Sequence, residues 1–396
     1  MRADIFCRVI DNFGDIGVCW RLARRMSTGF QWKVRLWVDN LDAFSRIQPT
    51  VSAHAASQCV QDIEIIHWDE VPADLTPGDV VIEAFACDPP AAFVHAMTER
   101  LQPPLTSPPI WINLEYLSAE SWVEGCHLLS SLRADGLTKY FFFPGFTANT
   151  GGLLREPALT VERDEMQHST EMQTAFLHRL GVSESALDLW RTGARLVSLF
   201  CYPYAPVAAL AHAFVHSDRP TVLLVPKGVA PTLEAEVARW RQSNPATNTA
   251  TQDVSIARIP FVSQPDFDRV LWCADLNFVR GEDSFVRAAW AARPLVWQIY
   301  AQEDNAHLEK LESWLARYPI PADAQAVIRA WNQVPNAPAD LPAATPTFDQ
   351  LLTRALSPEV WPTWQDGAKI WDETYAVSAD LGDRLAEFCA NLLKKR

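Results

Sequence analysis

Hydrophobic and polar positions fall into two alternating periods along most of this 396-residue chain. Short continuous apolar runs mark strands buried on both faces, at residues 5–10, 33–38, 63–67, 80–85 and 110–114. Between them apolar residues recur every three or four positions, which predicts helices over 16–26, 91–101 and 119–129. In the first of these, Ile16, Cys19, Trp20, Ala23 and Met26 share one side. This alternation predicts a doubly wound α/β sheet. A looser stretch follows. Its run Phe141 to Phe146 is too apolar to stand in solvent, so it is expected to pack beneath a cleft or against a second domain. Polar helices are predicted at 164–181 and 184–191. The strand–helix alternation then resumes, with strands at 196–202, 221–225, 255–259, 276–279 and 295–297 and helices such as 207–216 and 303–318. Residues 335–346, rich in Pro and Ala, read as a linker before terminal helices at 348–356, 361–375 and 379–395.

A single core rarely grows past about 250–300 residues, so two domains are expected. The boundaries read as 1–180 and 181–356, with helices in 357–396 packing back on the first domain. Ligands of such sheets bind outside the carboxyl ends of the strands. Hydrophobic content of 48 % and charged content of 21 % allow a substantial core. The formal charge of −14 repels nucleic acids and anionic membranes and favours a cationic partner. An anionic nucleotide would need a locally N–H-rich pocket. Eight cysteines without a C-x-x-C pair read as reduced thiols of a cytoplasmic protein. The first residues lack a signal peptide's apolar stretch, and no run approaches the length of a membrane span.

Candidate chemistry gathers at the predicted strand ends. Val279 leads through Arg280, Gly281, Glu282, Asp283 and Ser284 into a helix whose Phe285, Ala288, Ala289 and Ala292 share one face. Backbone N–H groups near Asp283 to Phe285, with Arg280 beside them, suit a phosphate. Simple capping of the helix by Asp283 or Ser284 fits the same residues. The first strand ends in Asp11-Asn12-Phe13-Gly14-Asp15-Ile16-Gly17. Its two carboxylates suit a general base with an orienting partner, or recognition of a guanidinium. An Asx-turn at Asp11 and a cap from Asp15 are the alternative. Neither a dinucleotide fingerprint nor a Walker loop is present, and no histidine pattern points to a metal. Farther on, Phe200, Tyr202, Phe261, Gln264 and Phe267 lie at strand ends, where rings can hold a nucleobase and an amide can read its edge. Core packing is the competing role for these rings.

Taken together, Asp11 to Gly17, Asn113-Leu-Glu115-Tyr116-Leu117, Phe142 to Phe146, Pro260-Phe-Val-x-Gln264 and Arg280 to Ala288 resemble the EarP family. These are bacterial protein-arginine rhamnosyltransferases that modify translation elongation factor P. The resemblance covers nearly the whole chain. It implies a GT-B-like fold of two Rossmann-like domains facing an interdomain cleft, with the C-terminal helix crossing back to the first. It implies dTDP-β-L-rhamnose as donor substrate, with no other cofactor and no metal. The acceptor would be an arginine of elongation factor P, glycosylated with inversion, which activates that factor for rescue of ribosomes stalled at polyproline. Asp15 matches the general base and Asp11 the nearby essential aspartate. Asn12, Phe13, Gly14 and Gly17 complete the acceptor-side loop. Tyr202, Phe261, Gln264, Phe267, Arg280, Glu282, Asp283 and Ser284 match the donor site. Pro265, after Gln264, departs from the family pattern. A GT-B enzyme acting on a small molecule or glycan, and a non-catalytic nucleotide-dependent binding protein, are the competing functions.

Overall fold

A computed structural model describes residues 1–10, 13–69, 75–103, 107–243, 253–302, 305–333 and 346–394. The chain divides into two compact units, residues 1–157 with 376–396, and residues 158–375. The division falls after Pro157, whereas the sequence suggested 180, so the polar helices just beyond it belong to the second unit.

The first unit contains β1 (Arg2–Cys7), α1 (Gly14–Phe30), β2 (Lys33–Val38), α2 (Leu41–Ile47), β3 (Ser57–Val60) and β4 (Ile63–His67). It continues with β5 (Val80–Ala84), α3 (Ala91–Glu99), β6 (Ile110–Leu114), α4 (Val123–Cys126), β7 (Ser130–Leu132) and β8 (Thr138–Phe142). The sheet order is β3-β4-β2-β1-β5-β6-β8-β7. The six inner strands are parallel, and β3 and β7 pair antiparallel at the two edges. Counting parallel strands along the chain, the sheet reads third, second, first, fourth, fifth, sixth, the doubly wound order. Successive side chains go to opposite faces. Ile5, Leu36, Ile82 and Ile112 enter one core with α1, while Phe6, Trp37, Val81 and Trp111 enter the other. Burial on both sides explains why these strands are apolar throughout.

The second unit runs through α5 (Leu159–His168), α6 (Thr170–Arg179), α7 (Glu184–Arg191), β9 (Arg195–Leu199), α8 (Val207–Val215), β10 (Thr221–Pro226) and α9 (Leu233–Ser243). There follow β11 (Val254–Ile259), α10 (Gln264–Cys273), β12 (Leu276–Arg280), α11 (Asp283–Trp290) and β13 (Leu295–Gln298). Four helices close it: α12 (Ala306–Leu315), α13 (Ala322–Trp331), α14 (Phe348–Ala355) and α15 (Trp361–Ala376). Its parallel sheet has the order β11-β10-β9-β12-β13, again reversing direction beside its first strand. The last helix, α16 (Leu381–Lys394), belongs to the first unit and places Leu381, Leu385 and Cys389 in the core beside α1.

Several expectations need correction. The first strand ends at Cys7 rather than residue 10, because Val9 N–H turns to Asp39 Oδ1 (2.9 Å) and Ile10 N–H to Asp15. The helix expected over 119–129 shrinks to the single turn of α4. The first two residues of the apolar run at 141–146 belong to β8, which pairs with β6. The linker expected at 335–346 falls almost wholly outside the described residues, as do Glu303 and Asp304 at the start of the helix expected over 303–318.

Candidate active site

In each unit the candidate residues gather where the strand order reverses. In the first unit that point lies between β1 and β5, with β6 next to β5. Asp11 and Asn12 lie outside the described residues. Phe13 is the N-cap residue of α1 and makes no side-chain cap bond, Gly14 opens the helix, and Gly17 N–H bonds Phe13 O at 2.9 Å. Asp15 stands in the first turn, where the helix dipole favours a carboxylate. It is only 3 % exposed. Its Oδ2 accepts Ile10 N–H at 2.7 Å, so it reaches back out of the helix rather than capping it. Such a charge-assisted bond is worth about 1.5–3 kcal/mol, enough to hold the side chain. Tyr116 Oη, two residues past β6, donates to Asp15 Oδ1 at 3.4 Å. Below the carboxylate, burial first, then Cys19 and then the negative charge of Asp15, push the Cys7 thiol well above its usual range, so it stays protonated.

The loop after β5 is strained. Phe85, Ala86 and Asp88 have φ of 58°, 54° and 47°, a left-handed region that non-glycine residues enter at a cost of about 1–3 kcal/mol each. Neighbouring groups over-determine the turn. Phe85 N–H bonds Leu114 O at 2.7 Å, and Ala86 N–H bonds Asn113 Oδ1 at 3.0 Å. Asn113 is itself held, donating to Glu115 Oε1 at 2.6 Å. The result lays Phe85 flat against Tyr116, with ring centroids 4.2 Å apart and planes at 13°.

In the second unit the reversal lies between β9 and β12. Arg280 ends β12 and sits between two rings that follow β9: its guanidinium carbon is 4.7 Å from the Phe200 centroid and 4.5 Å from that of Tyr202. Tyr202 is fixed in turn, because its N–H bonds Gln298 Oε1 at 2.7 Å. Gln298 O also accepts Gly281 N–H at 3.1 Å, so one buried residue of β13 ties both turns together. Gly281 has φ of 65°, which lets the chain bend sharply from strand into helix. Glu282, the N-cap residue of α11, makes no side-chain cap bond, and Ser284 Oγ donates back to Arg280 O. The capping reading of Ser284 therefore fails. The first-turn N–H groups of α11, from Asp283 to Phe285, point out of the helix end.

At the end of β11, Gln264 opens α10 and is buried. Pro265 occupies the first turn of α10, where its missing N–H costs nothing, so this departure leaves the helix intact. Phe200 contacts Phe261 and Phe267 edge-on, at 6.4 and 5.9 Å. Phe261 is 42 % exposed, unlike a core ring. The structure thus brings Tyr202, Phe261, Phe267 and Arg280 together around Phe200. Arg287, one turn into α11, binds Asp268 of α10 through two buried bonds of 3.0 and 2.8 Å and fixes the spacing of the two helices.

Sequence reasoning assigned no role to Phe85, Tyr116 or Gln298. Tyr116 and Gln298 had a usable signal, since each is a polar residue at the end of an apolar strand. The left-handed turn at Phe85 had none, because it lacks the glycine that usually marks one. Among the described residues no cluster of three or more His, Cys, Asp or Glu side chains is arranged to hold a metal, and no helix is long and apolar enough to cross a membrane.

The model of the family described as Elongation-Factor P (EF-P) rhamnosyltransferase EarP matches residues 3–390. The protein-arginine rhamnosyltransferase of Pseudomonas putida is 45 % identical, over 98 % of this chain and 99 % of the relative. That of Pseudomonas aeruginosa is 43 % identical with the same coverage. A solved structure described as the structural basis for EarP-mediated arginine glycosylation of translation elongation factor EF-P matches with a TM-score of 0.61 and 34 % identity, over 98 % of this chain and 99 % of that one. The TcCGT1 structure in complex with UDP, 11 % identical with a TM-score of 0.53, shares the fold alone. With its two doubly wound units in a GT-B-like fold and a family match along nearly its full length, the chain belongs to the EarP family of protein-arginine rhamnosyltransferases.

Proposed function

We propose that this glycosyltransferase moves L-rhamnose from dTDP-β-L-rhamnose to one arginine of elongation factor P, with inversion and without a metal. The observation that carries the reading is the buried Asp15 carboxylate, held by Ile10 N–H at the strand reversal of the first unit, in a chain that matches EarP over residues 3–390.

In this reading the second unit holds the donor. Phe261 and Phe267 enclose the thymine, Tyr202 lines the same pocket and Gln264 reads the base edge. Arg280 and the first-turn N–H groups of α11 hold the diphosphate, and Glu282, Asp283 and Ser284 take hydroxyl groups. An arginine guanidinium has a pKa of about 12 or more and is a poor nucleophile while fully protonated. As its Nη attacks the sugar C1 from the face opposite the diphosphate, the bond from C1 to the phosphate oxygen breaks. The proton from nitrogen passes to Asp15, and dTDP leaves with the bonding electrons. Attack from the opposite face converts the β donor to an α product. Asp11 orients the guanidinium by paired hydrogen bonds. Negative charge growing on the diphosphate is met by Arg280 and the α11 terminus without reorganisation. Elongation factor P as acceptor is supported by the description of the family and of the similar solved structure.

The test is to incubate purified protein with dTDP-β-L-rhamnose and elongation factor P, then locate the modification by mass spectrometry. The expected result is one added deoxyhexose on one arginine. Transfer to a glycan or small alcohol, with elongation factor P untouched, would overturn the acceptor assignment.

A further inference from the structure

We propose that Tyr116 is the platform on which the acceptor arginine lies, its ring stacking on the guanidinium plane and its hydroxyl holding Asp15. The inference rests on Asp15 being the acceptor-side base and adds a residue that selects the substrate. Three observations carry it. Asp15, Phe85 and Tyr116 follow the carboxyl ends of β1, β5 and β6, three adjacent parallel strands, at the point where the sheet reverses. Phe85 adopts a left-handed backbone (φ 58°), held there by bonds to Leu114 O and Asn113 Oδ1 through two successive N–H groups. What that strained turn achieves is a ring laid parallel under Tyr116 at 4.2 Å, which fixes the plane of the tyrosine. Strain of this kind persists where the arrangement it secures is used. Finally, Tyr116 remains 37 % exposed although Phe85 covers one face, and its Oη reaches Asp15 Oδ1 at 3.4 Å.

A flat, weakly hydrated guanidinium stacks on an aromatic face far better than a compact ammonium does. A guanidinium lying over Tyr116 has its edge nitrogens beside the Asp15 carboxylate. The arrangement therefore favours arginine over lysine before any proton moves.

Steady-state kinetics of Tyr116→Leu and Tyr116→Phe with varied elongation factor P test this, with thermal unfolding to confirm that both variants fold. Tyr116→Leu should raise the acceptor KM roughly tenfold or more, as expected for loss of one cation–π contact. Tyr116→Phe, which keeps the ring, should hold that KM within about twofold, and the KM for the donor should move in neither. An unchanged acceptor KM in Tyr116→Leu, or equal rises in both variants, overturns the platform. Asp15→Asn assayed alongside separates the two ideas: if it turns over like wild type, the base assignment falls; if it is inactive while Tyr116→Leu keeps its KM, only the platform falls.

Discussion

Arg280 shows how much a single side chain depends on its supports. Its guanidinium is held between Phe200 and Tyr202, and Tyr202 is held by Gln298. A lysine keeps the charge but loses the flat surface that both rings grip. Arg280→Lys should therefore weaken donor binding about tenfold, read by calorimetric titration with dTDP-rhamnose or dTDP. Affinity equal to wild type would show that charge alone matters there. Asp15 and Arg280 were conspicuous as candidates in the sequence because each is a polar residue closely following or ending an apolar run. Their partners were less so. The strand-ending position of Gln298 marks it as notable, but that its Oε1 accepts Tyr202 N–H follows only from the fold. The turn at Phe85 is held by N–H groups of Phe85 and Ala86 donating to Leu114 O and Asn113 Oδ1, nearly 30 residues away, which no local pattern encodes.

At the scale of elements, α16 illustrates how one carboxylate does two jobs. Asp380 Oδ1 accepts Gly382 N–H at 2.6 Å and Asp383 N–H at 3.0 Å, capping the helix. Its Oδ2 accepts from Arg25 Nε and Nη2 of α1, at 3.1 and 2.9 Å. Arg25 Nη2 also meets Asp383 Oδ1 at 2.6 Å. Burial pushes the Asp380 carboxyl above the usual carboxylate range despite the pull of Arg25, so the pair is costly to leave half-made. Arg25→Met should destabilise the docking of α16 by about 3 kcal/mol, seen as roughly hundredfold faster hydrogen exchange across that helix. Arg25→Met with Asp380→Asn should recover most of the loss, since asparagine still caps. Exchange unchanged in the single variant would refute the account. The inner strands were readable because burial on both faces makes them apolar throughout. The edge strands β3 and β7 were not: Ser57–Val60 and Ser130–Leu132 are short and half polar, and only pairing with β4 and β8 makes them strands.

For the molecule as a whole, each unit carries candidate residues where its sheet reverses, and the proposed function puts the acceptor-side base in one unit and the donor contacts in the other. The alternation of periods made both sheets visible, but the boundary after Pro157 was not, because helices α5 and α6 carry no composition shift that marks the unit to which they belong. This division makes a sharp prediction. Replacing Asp15 by Asn keeps the size of the side chain and an oxygen for Ile10 N–H, yet removes the proposed proton acceptor. The most direct test measures, on the same Asp15→Asn preparation, donor affinity by calorimetry and rhamnosyl transfer to elongation factor P by mass spectrometry. The account predicts donor binding within about twofold of wild type and transfer reduced by at least about a hundredfold. Transfer at the wild-type rate would contradict it.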